Sequence, residues 1–447
     1  MLDVIIIGAG YSGLSAARDL LDAGKDFLVL EARDRVGGRI HSQALENGTY
    51  IDLGGQWIGP GHDNMYALCR EFNIETFATH DKGKSTLYYD GKRKNYRGLI
   101  PPLPLFTLLS LNKGIQGINK LARKIECSQP WAMKEANQFD QITVAEWMER
   151  TMKKEIARNM FRTAFEAIFA ADPEDISLLH ALFYVRSNNN FDYLMNIRKG
   201  AQQDRIKGGA QLPAIKLAAT LGERLKLNHP VTSISQDNEK VTVTGAGFSF
   251  EAKKLIVAIP PVVARDINYQ FPLTEKRKLL MDQQFMGAVV KCYAIYNKPF
   301  WREKGLNGLC AAPSELTSVV FDNSPADGSK GILMGFSLAK QARQLMALNE
   351  TDRRTAILDC FSRYLGEEAR NAELYIDKSF TDETWTKGCY AGMMPTGAWT
   401  SIADLLSKPE GHIHWAGTET ATQWNGYMEG AILAGKRAAR EIIDCLK

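Results

Sequence analysis

Apolar positions along this chain fall into two rhythms. Residues 3–7, DVIII, form an unbroken apolar run of strand length, and DFLVLE at 26–31 forms another; such runs suit strands buried on both faces. Between them GAGYSG opens SAARDLLDAG, whose apolar residues recur at helical spacing. The three pieces predict a β-α-β unit. LKLNHPVTSI, KVTVTG and KKLIVAIP predict further strands within 225–260, and FMGAVVKCYAIY at 285–296 a longer one. At the end, GHIHWAGTE and GYMEGAILAGKRAAREIIDCLK read as strand, loop and amphipathic helix.

Between about 80 and 205 the rhythm is different. PPLPLF at 101–106 punctuates the chain, and TVAEWMERTMKKEIARNMFRTAFEAIFA at 143–170 has helical spacing throughout. A mostly helical segment cannot continue the first sheet, so two interleaved domains are expected. One takes 1–79, 206–284 and 385–447; the other takes 80–205 and 285–384. A length of 447 residues suits that division.

Composition removes several classes of function. A net charge of +4 on a chain this long leaves no concentrated basic footprint, so no nucleic-acid partner is expected. The strongest basic run, YDGKRKNYR at 89–97, reads as a solvated loop. Seven cysteines, without a CxxC pair or a zinc-like cluster with the few histidines, favour a reducing compartment and exclude a metal centre. The opening MLDVIIIGAG has no basic stretch before its apolar one, and no uncharged apolar segment reaches about 18 residues. A cytoplasmic protein without a transmembrane anchor is the expectation.

Chemistry enters at the first turn. Gly8, Gly10 and Gly13 stand in G-x-G-x-x-G between strand and helix, where backbone can approach a pyrophosphate and helix amides can meet its charge. Glu31 closes the second strand, placed for a ribose diol. The following ARDRVGGR adds a second backbone approach at Gly37 and Gly38, with Arg33 and Arg39 to balance a diphosphate. DLGGQW at 52–57 brings Gly54, Gly55, Gln56 and Trp57, suited to a flat ring lying against backbone. The set favours FAD over a nicotinamide.

With these motifs in place the chain resembles a flavin-containing amine oxidase of the monoamine oxidase type. VIIIGAGYSGLSAARDL, LEARDRVGGRI, DLGGQW, GAQQDRIKGG, LIVAIPP, VVKCYAIYNKPFW, KGCYAGMMPTGAW and WAGTETATQWNGYMEGAILAGKRAARE carry the likeness over nearly the full length. It implies an α/β fold in which a glutathione-reductase-like FAD-binding domain interleaves with an α+β substrate-binding domain. It implies Glu31 on the adenosine ribose, Arg39 and Gly10 near the diphosphate, and Val231 beside the adenine. Glu419 and Met428 would stand near the ribityl chain and pyrimidine ring, with Gly417 in the same motif. Tyr390 and Tyr427 would form an aromatic cage over the flavin, and Lys291 would reach flavin N5 through a water. Cys389 would carry the flavin as a thioether, although Lys387 stands where the family usually has glycine.

The implied reaction is FAD-dependent oxidation of a primary or secondary amine to an imine, with dioxygen reduced to hydrogen peroxide. Water then hydrolyses the imine to an aldehyde and ammonia or a smaller amine. The alternatives are an L-amino-acid oxidase, an amine dehydrogenase with another electron acceptor, and a non-catalytic flavin-bearing interaction protein. The partners are a small amine and dioxygen, with a homodimer left open. RSNNNFDYL at 186–194 is expected to line the substrate cavity, and PPLPLFTLL resembles an entrance segment.

Overall fold

The structure, a computed structural model, describes residues 1–46, 48–98 and 101–447. Its strands and helices form an α/β fold with mixed sheets. One sheet runs in the order Leu225–Lys226, Phe27–Leu30, Leu2–Ile7, Phe248–Val257, Val241–Gly245, Val231–Gln236, Asn268–Tyr269. An eighth strand, Ile413–Trp415, pairs in parallel with the C-terminal part of Phe248–Val257. Leu2–Ile7 is central and parallel to both neighbours. Its alternate residues part to opposite faces: Val4 and Ile6 pack with Leu14, Ala17 and Ile432 of two helices, while Ile5 and Ile7 pack with Leu255, Val231 and Trp415. An unbroken apolar run is what a strand covered on both faces requires, and each such side chain contributes about 1.5–3 kcal/mol by burial.

A second sheet has the order Leu374–Ser379, Val289–Tyr296, Gly331–Leu338, Val319–Asp322, Leu306–Ala311, Lys84–Tyr89, Lys92–Tyr96. Val289–Tyr296 is buried along its whole length. Val290, Cys292 and Ala294 face a core shared with the helix Glu350–Leu365, whereas Val289, Tyr293 and Ile295 face the other way, and Lys291 shares their side of the pleat. Helices Leu105–Ala122, Val144–Thr151, Glu155–Phe169 and Leu178–Ser187 make a separate core around Phe161, Phe165 and Phe169. Thr143 starts the second of these with a capping box: its hydroxyl accepts from Glu146 N, and the Glu146 carboxylate accepts from Thr143 N.

The 89–97 run departs from the expected loop. Lys84–Tyr89 and Lys92–Tyr96 pair as a hairpin, turning at Asp90 and Gly91 with φ of 51° and 69°. Asp-Gly is the dipeptide such a two-residue turn selects. The charges stay exposed on an edge strand, where they discourage pairing with another chain. Among the described residues no helix is long and apolar enough to cross a membrane.

Candidate active site

The first turn is built by contact between backbones. A Cβ on Gly13 would lie 1.9 Å from Gly8 O, so only glycine lets the helix Tyr11–Asp22 start this close to its strand. Gly10 is different: a Cβ there would meet only Gly37 O, at 4.0 Å. Its missing side chain leaves room facing a cavity that Gly10 lines together with Gly37, Gly38 and Arg39. Ser12 Oγ accepts from Gly417 N at 2.8 Å, tying the C-terminal motif to this turn.

That cavity, about 1320 Å³, extends from Glu31, His229 and Val231 at one end to Lys291, Cys389, Tyr390 and Tyr427 at the other. Its size exceeds the ~300–1,000 Å³ common for ligand pockets, so a dinucleotide and a small substrate can share it. Glu31 is buried; its Oε2 accepts from Ala9 N at 2.7 Å and its Oε1 from Arg33 N at 3.0 Å. Each oxygen keeps a lone pair for a ribose hydroxyl. Arg33 itself pairs with Glu383 at 3.0 Å. Met428 and Gly417 also line the cavity.

Arg39 is the hub of the middle section. Its guanidinium donates to both Glu419 oxygens, at 2.5 and 3.1 Å, and to Tyr390 O at 2.9 Å. Glu419 Oε1 also accepts from Gly392 N at 3.1 Å. Burial alone would raise the Glu419 carboxyl, but the charge and hydrogen bonds of Arg39 hold it below the ordinary range. The charged pair therefore joins the glycine turns to the segment that carries Tyr390.

At the far end, Lys291 is buried rather than reaching solvent. Its Nζ donates to Asp52 O, Gln56 Oε1 and Gly54 O at 2.6, 2.7 and 2.8 Å. Burial pushes its ammonium down to about 7, partly opposed by Asp52. Gly55 and Trp57 line the same stretch, and Trp57 Nε1 is buried without a partner among the described residues. Tyr390 packs edge-on against Phe336, centroids 6.5 Å apart, while Tyr427 packs on His62 at 5.3 Å and Tyr184 at 6.4 Å. Burial raises both phenols, so both are neutral. Cys389 lines the cavity with its thiol pushed up to about 12 by burial. Lys387 turns away to an ion pair with Asp266.

The 186–194 segment fits its expected place only in part. Phe191, Asp192 and Leu194 line the cavity. The Asn188 amide instead donates to Tyr184 O and Asn425 O, and Asn190 Oδ1 caps the next helix at Tyr193 N. Arg186 and Asn189 are exposed. These polar side chains close helix ends, as short amides readily do, so the cavity is more apolar than the sequence suggests. Its wall includes Phe161, Ile168, Tyr184 and Phe336. From the entrance segment at 101–109 only Pro101 reaches the lining, while Leu105, Phe106 and Leu109 are exposed; Leu111 and Ile115, further along the same helix, line the cavity.

The pattern of the family described as "Flavin containing amine oxidoreductase" matches residues 11–443. The chain belongs to that family. It is 36% identical over 449 residues to a protein named as a probable flavin-containing monoamine oxidase A of Dictyostelium discoideum, covering 100% of this chain and 98% of that one. Two solved structures superpose with TM-score 0.95 at 31% identity. One is putrescine oxidase bound to putrescine, with 99% of each chain covered; the other is cyclohexylamine oxidase from Brevibacterium oxydans IH-35A, with 100% of this chain and 99% of that chain covered. The chain is thus a flavoenzyme that oxidises an amine with FAD, producing hydrogen peroxide.

Several residues of this amine oxidase were not legible as functional. Asp52 and Arg205 flank Lys291 from two other strands, and Tyr184 and His62 back Tyr427. Nothing local marks Tyr184 and His62; Asp52 opens DLGGQW and Arg205 lies in GAQQDRIKGG, but the resemblance assigned neither a role.

Proposed function

We propose that the enzyme is an oxidase of the monoamine oxidase type, acting on a neutral primary or secondary amine held between Tyr390 and Tyr427. The observation that carries this is the single cavity joining Glu31 and Gly10 to Lys291 and the two tyrosines. Segments 1–79, 206–284 and 385–447 are read as the FAD-binding domain of glutathione-reductase type, and 80–205 with 285–384 as the substrate-binding domain. Glu31 would hold the adenosine ribose, Val231 flank the adenine, and Gly10, Gly38 and Arg39 meet the diphosphate. Met428 and Gly417 would border the ribityl chain. Glu419, paired with Arg39, would stand with Met428 near the ribityl chain and pyrimidine ring.

FAD held by these residues would supply the two-electron chemistry that links amine oxidation to reduction of dioxygen. The protein orients and dries the site. Two neutral phenol rings steer an amine by their quadrupoles without an anion that would hold it protonated. The apolar wall excludes water around the α-carbon and disfavours a charged substrate. Lys291, with its depressed proton affinity, can in its neutral form turn a lone pair to the reacting end and accept a hydrogen bond there. The monoamine reading is supported by the aromatic and aliphatic wall that Phe161, Ile168, Tyr184 and Phe336 give the cavity. None of the seven cysteines is paired in a disulfide, in keeping with the cytoplasm.

Anaerobic mixing of the purified protein with a panel of amines and amino acids tests the reading: flavin bleaching with monoamines, then peroxide on admitting air. Bleaching by L-amino acids alone would replace it. A thioether from Cys389 is proposed as the cofactor anchor. After acid precipitation, flavin should stay with the wild-type pellet and leave that of Cys389→Ala; complete release from wild type removes the anchor and leaves the oxidase.

A further inference from the structure

Three acceptors surround Lys291 Nζ: Asp52 O, Gly54 O and Gln56 Oε1. An ammonium has three hydrogens, so this form is saturated and offers nothing to the cavity. A neutral amine has two, and one acceptor must then be released. The two backbone carbonyls are fixed by the loop, and Asp52 O is also served by the Tyr293 hydroxyl at 2.5 Å. Gln56 Oε1 is the one side-chain acceptor of the three. The Gln56 amide is anchored by donation from Nε2 to Asn323 Oδ1 at 2.8 Å, and Tyr293 lies 3.3 Å from Oε1 as a substitute donor. Arg205 Nη1 in turn fixes the backbone of Asn323 at 2.9 Å.

We propose that Gln56 is a positioning residue for the reaction, holding Lys291 against the loop and setting how firmly Lys291 keeps its proton, because its carbonyl is the acceptor Lys291 gives up when the neutral nitrogen turns its lone pair to a donor in the cavity. The inference rests on reading Lys291 as a group of the reacting end. Asp52 from Tyr50–Asp52, Arg205 from Asp204–Ile206 and Cys389 from its loop face the same nitrogen, with Tyr293 on its own strand and the rings of Trp57 and Phe336 around it. Asp52 favours the charged form; Arg205 and burial oppose it. These surroundings are common to wild type and Gln56 variants, so a change at Gln56 isolates its own contribution.

The test is a lysine titration in the FAD-loaded protein, with 13C at the lysine ε-carbons and Lys291 assigned by its disappearance in Lys291→Met. Gln56→Glu places an anion against the nitrogen and should raise the midpoint by about one pH unit or more. Gln56→Leu withdraws an acceptor from the ammonium and should lower it. Tyr293→Phe removes a competitor for two of the acceptors and should raise it by a smaller amount. Reoxidation of dithionite-reduced holoenzyme by dioxygen should show a pH profile displaced in the same direction in each variant. A glutamine that merely packs cannot give opposite displacements in the Glu and Leu variants. Equal midpoints, or displacement of both in one direction, overturn the assignment; should the Gln56 variants fail to fold, an unmoved midpoint in Tyr293→Phe does so alone. No amine is turned over, so failure here is distinct from failure of the monoamine reading.

Discussion

The two ends of the cavity are built on different principles. At the glycine end, Gly8 to Gly13 and Gly37 to Arg39 bring backbone within reach of a ligand, and most of the parts lie within about forty residues of one another in sequence. At the reacting end, Asp52, Tyr184, Arg205, Lys291, Tyr390 and Tyr427 come from separate strands, helices and loops. One end is specified by local chain geometry, the other by packing of the whole molecule. The first should fail through the fold when disturbed and the second through chemistry.

The largest expected effect follows from the closest contact. Gly13→Val would drive a side chain into Gly8 O, a backbone atom that cannot yield, at a distance of 1.9 Å for the first carbon. The cost should exceed ~4 kcal/mol, in the range where a domain loses its fold. Thermal melting should show no cooperative transition, and the preparation should be colourless. A yellow, cooperatively melting Gly13→Val protein would break the claim that this end is set by backbone contact.

The reacting end should reveal itself through pH. Lys291 is depressed to about 7 in the folded protein against an ordinary 10.5, with burial the main cause. Below pH 7 both folded and unfolded states are protonated and the folded state carries the full cost of the buried ammonium. Between about 7 and 10.5 the folded state has lost its proton while the unfolded state retains it, so stability rises with pH, by up to about 5 kcal/mol in all. Lys291→Met lacks this rise. Melting temperatures of wild type and variant, compared from pH 6 to 9, should therefore draw apart in favour of wild type, and the variant should slow flavin reduction or reoxidation. Parallel melting profiles would mean that Lys291 does not titrate in this range.

Removing the cage should spare the glycine end. Tyr390→Ala with Tyr427→Ala deletes two buried rings, yet FAD contacts proposed for Glu31, Gly10 and Arg39 are left intact. Amine-dependent flavin reduction should slow by about 100-fold or more, because the rings act by orientation, while bound flavin per protein stays near that of wild type. Normal reduction kinetics would dismiss the cage.

The contrast also explains what could be read beforehand. The β-α-β unit, the glycine turns and Glu31 announce themselves because apolar runs and glycine spacing are local signals. The hairpin at 84–96 was legible too, in Asp90-Gly91, but the density of charge around it pointed to a loop. Asn188 and Asn190 misled in the opposite sense: polar residues beside a cavity are spent on helix ends. Lys291 was found through its motif, whereas its three carbonyl partners depend on the register that sets one sheet against the 52–56 loop, and no local pattern encodes that register. Arg39 was expected to balance a diphosphate; its pairing with Glu419, 380 residues away, emerges only in the fold.

The smallest effect gives the sharpest comparison, because it lies three residues from the largest. At Gly10, φ is −76°, a conformation any residue adopts, and a Cβ would meet nothing of the protein closer than 4.0 Å. Gly10→Ala should therefore leave the FAD-free protein as stable as wild type to within about 1 kcal/mol; removing glycine from the unfolded chain even favours the fold slightly. What the added methyl occupies is cavity space beside Gly37 and Gly38, where the diphosphate is proposed to approach backbone. The cost should thus fall on cofactor affinity, as roughly a tenfold weaker binding or slower loading of FAD by the apoprotein. If Gly10→Ala melts several degrees lower without cofactor, the turn is packed as tightly there as at Gly13 and the room at Gly10 has another cause. If both apo stability and FAD loading match wild type, the diphosphate lies elsewhere along the cavity.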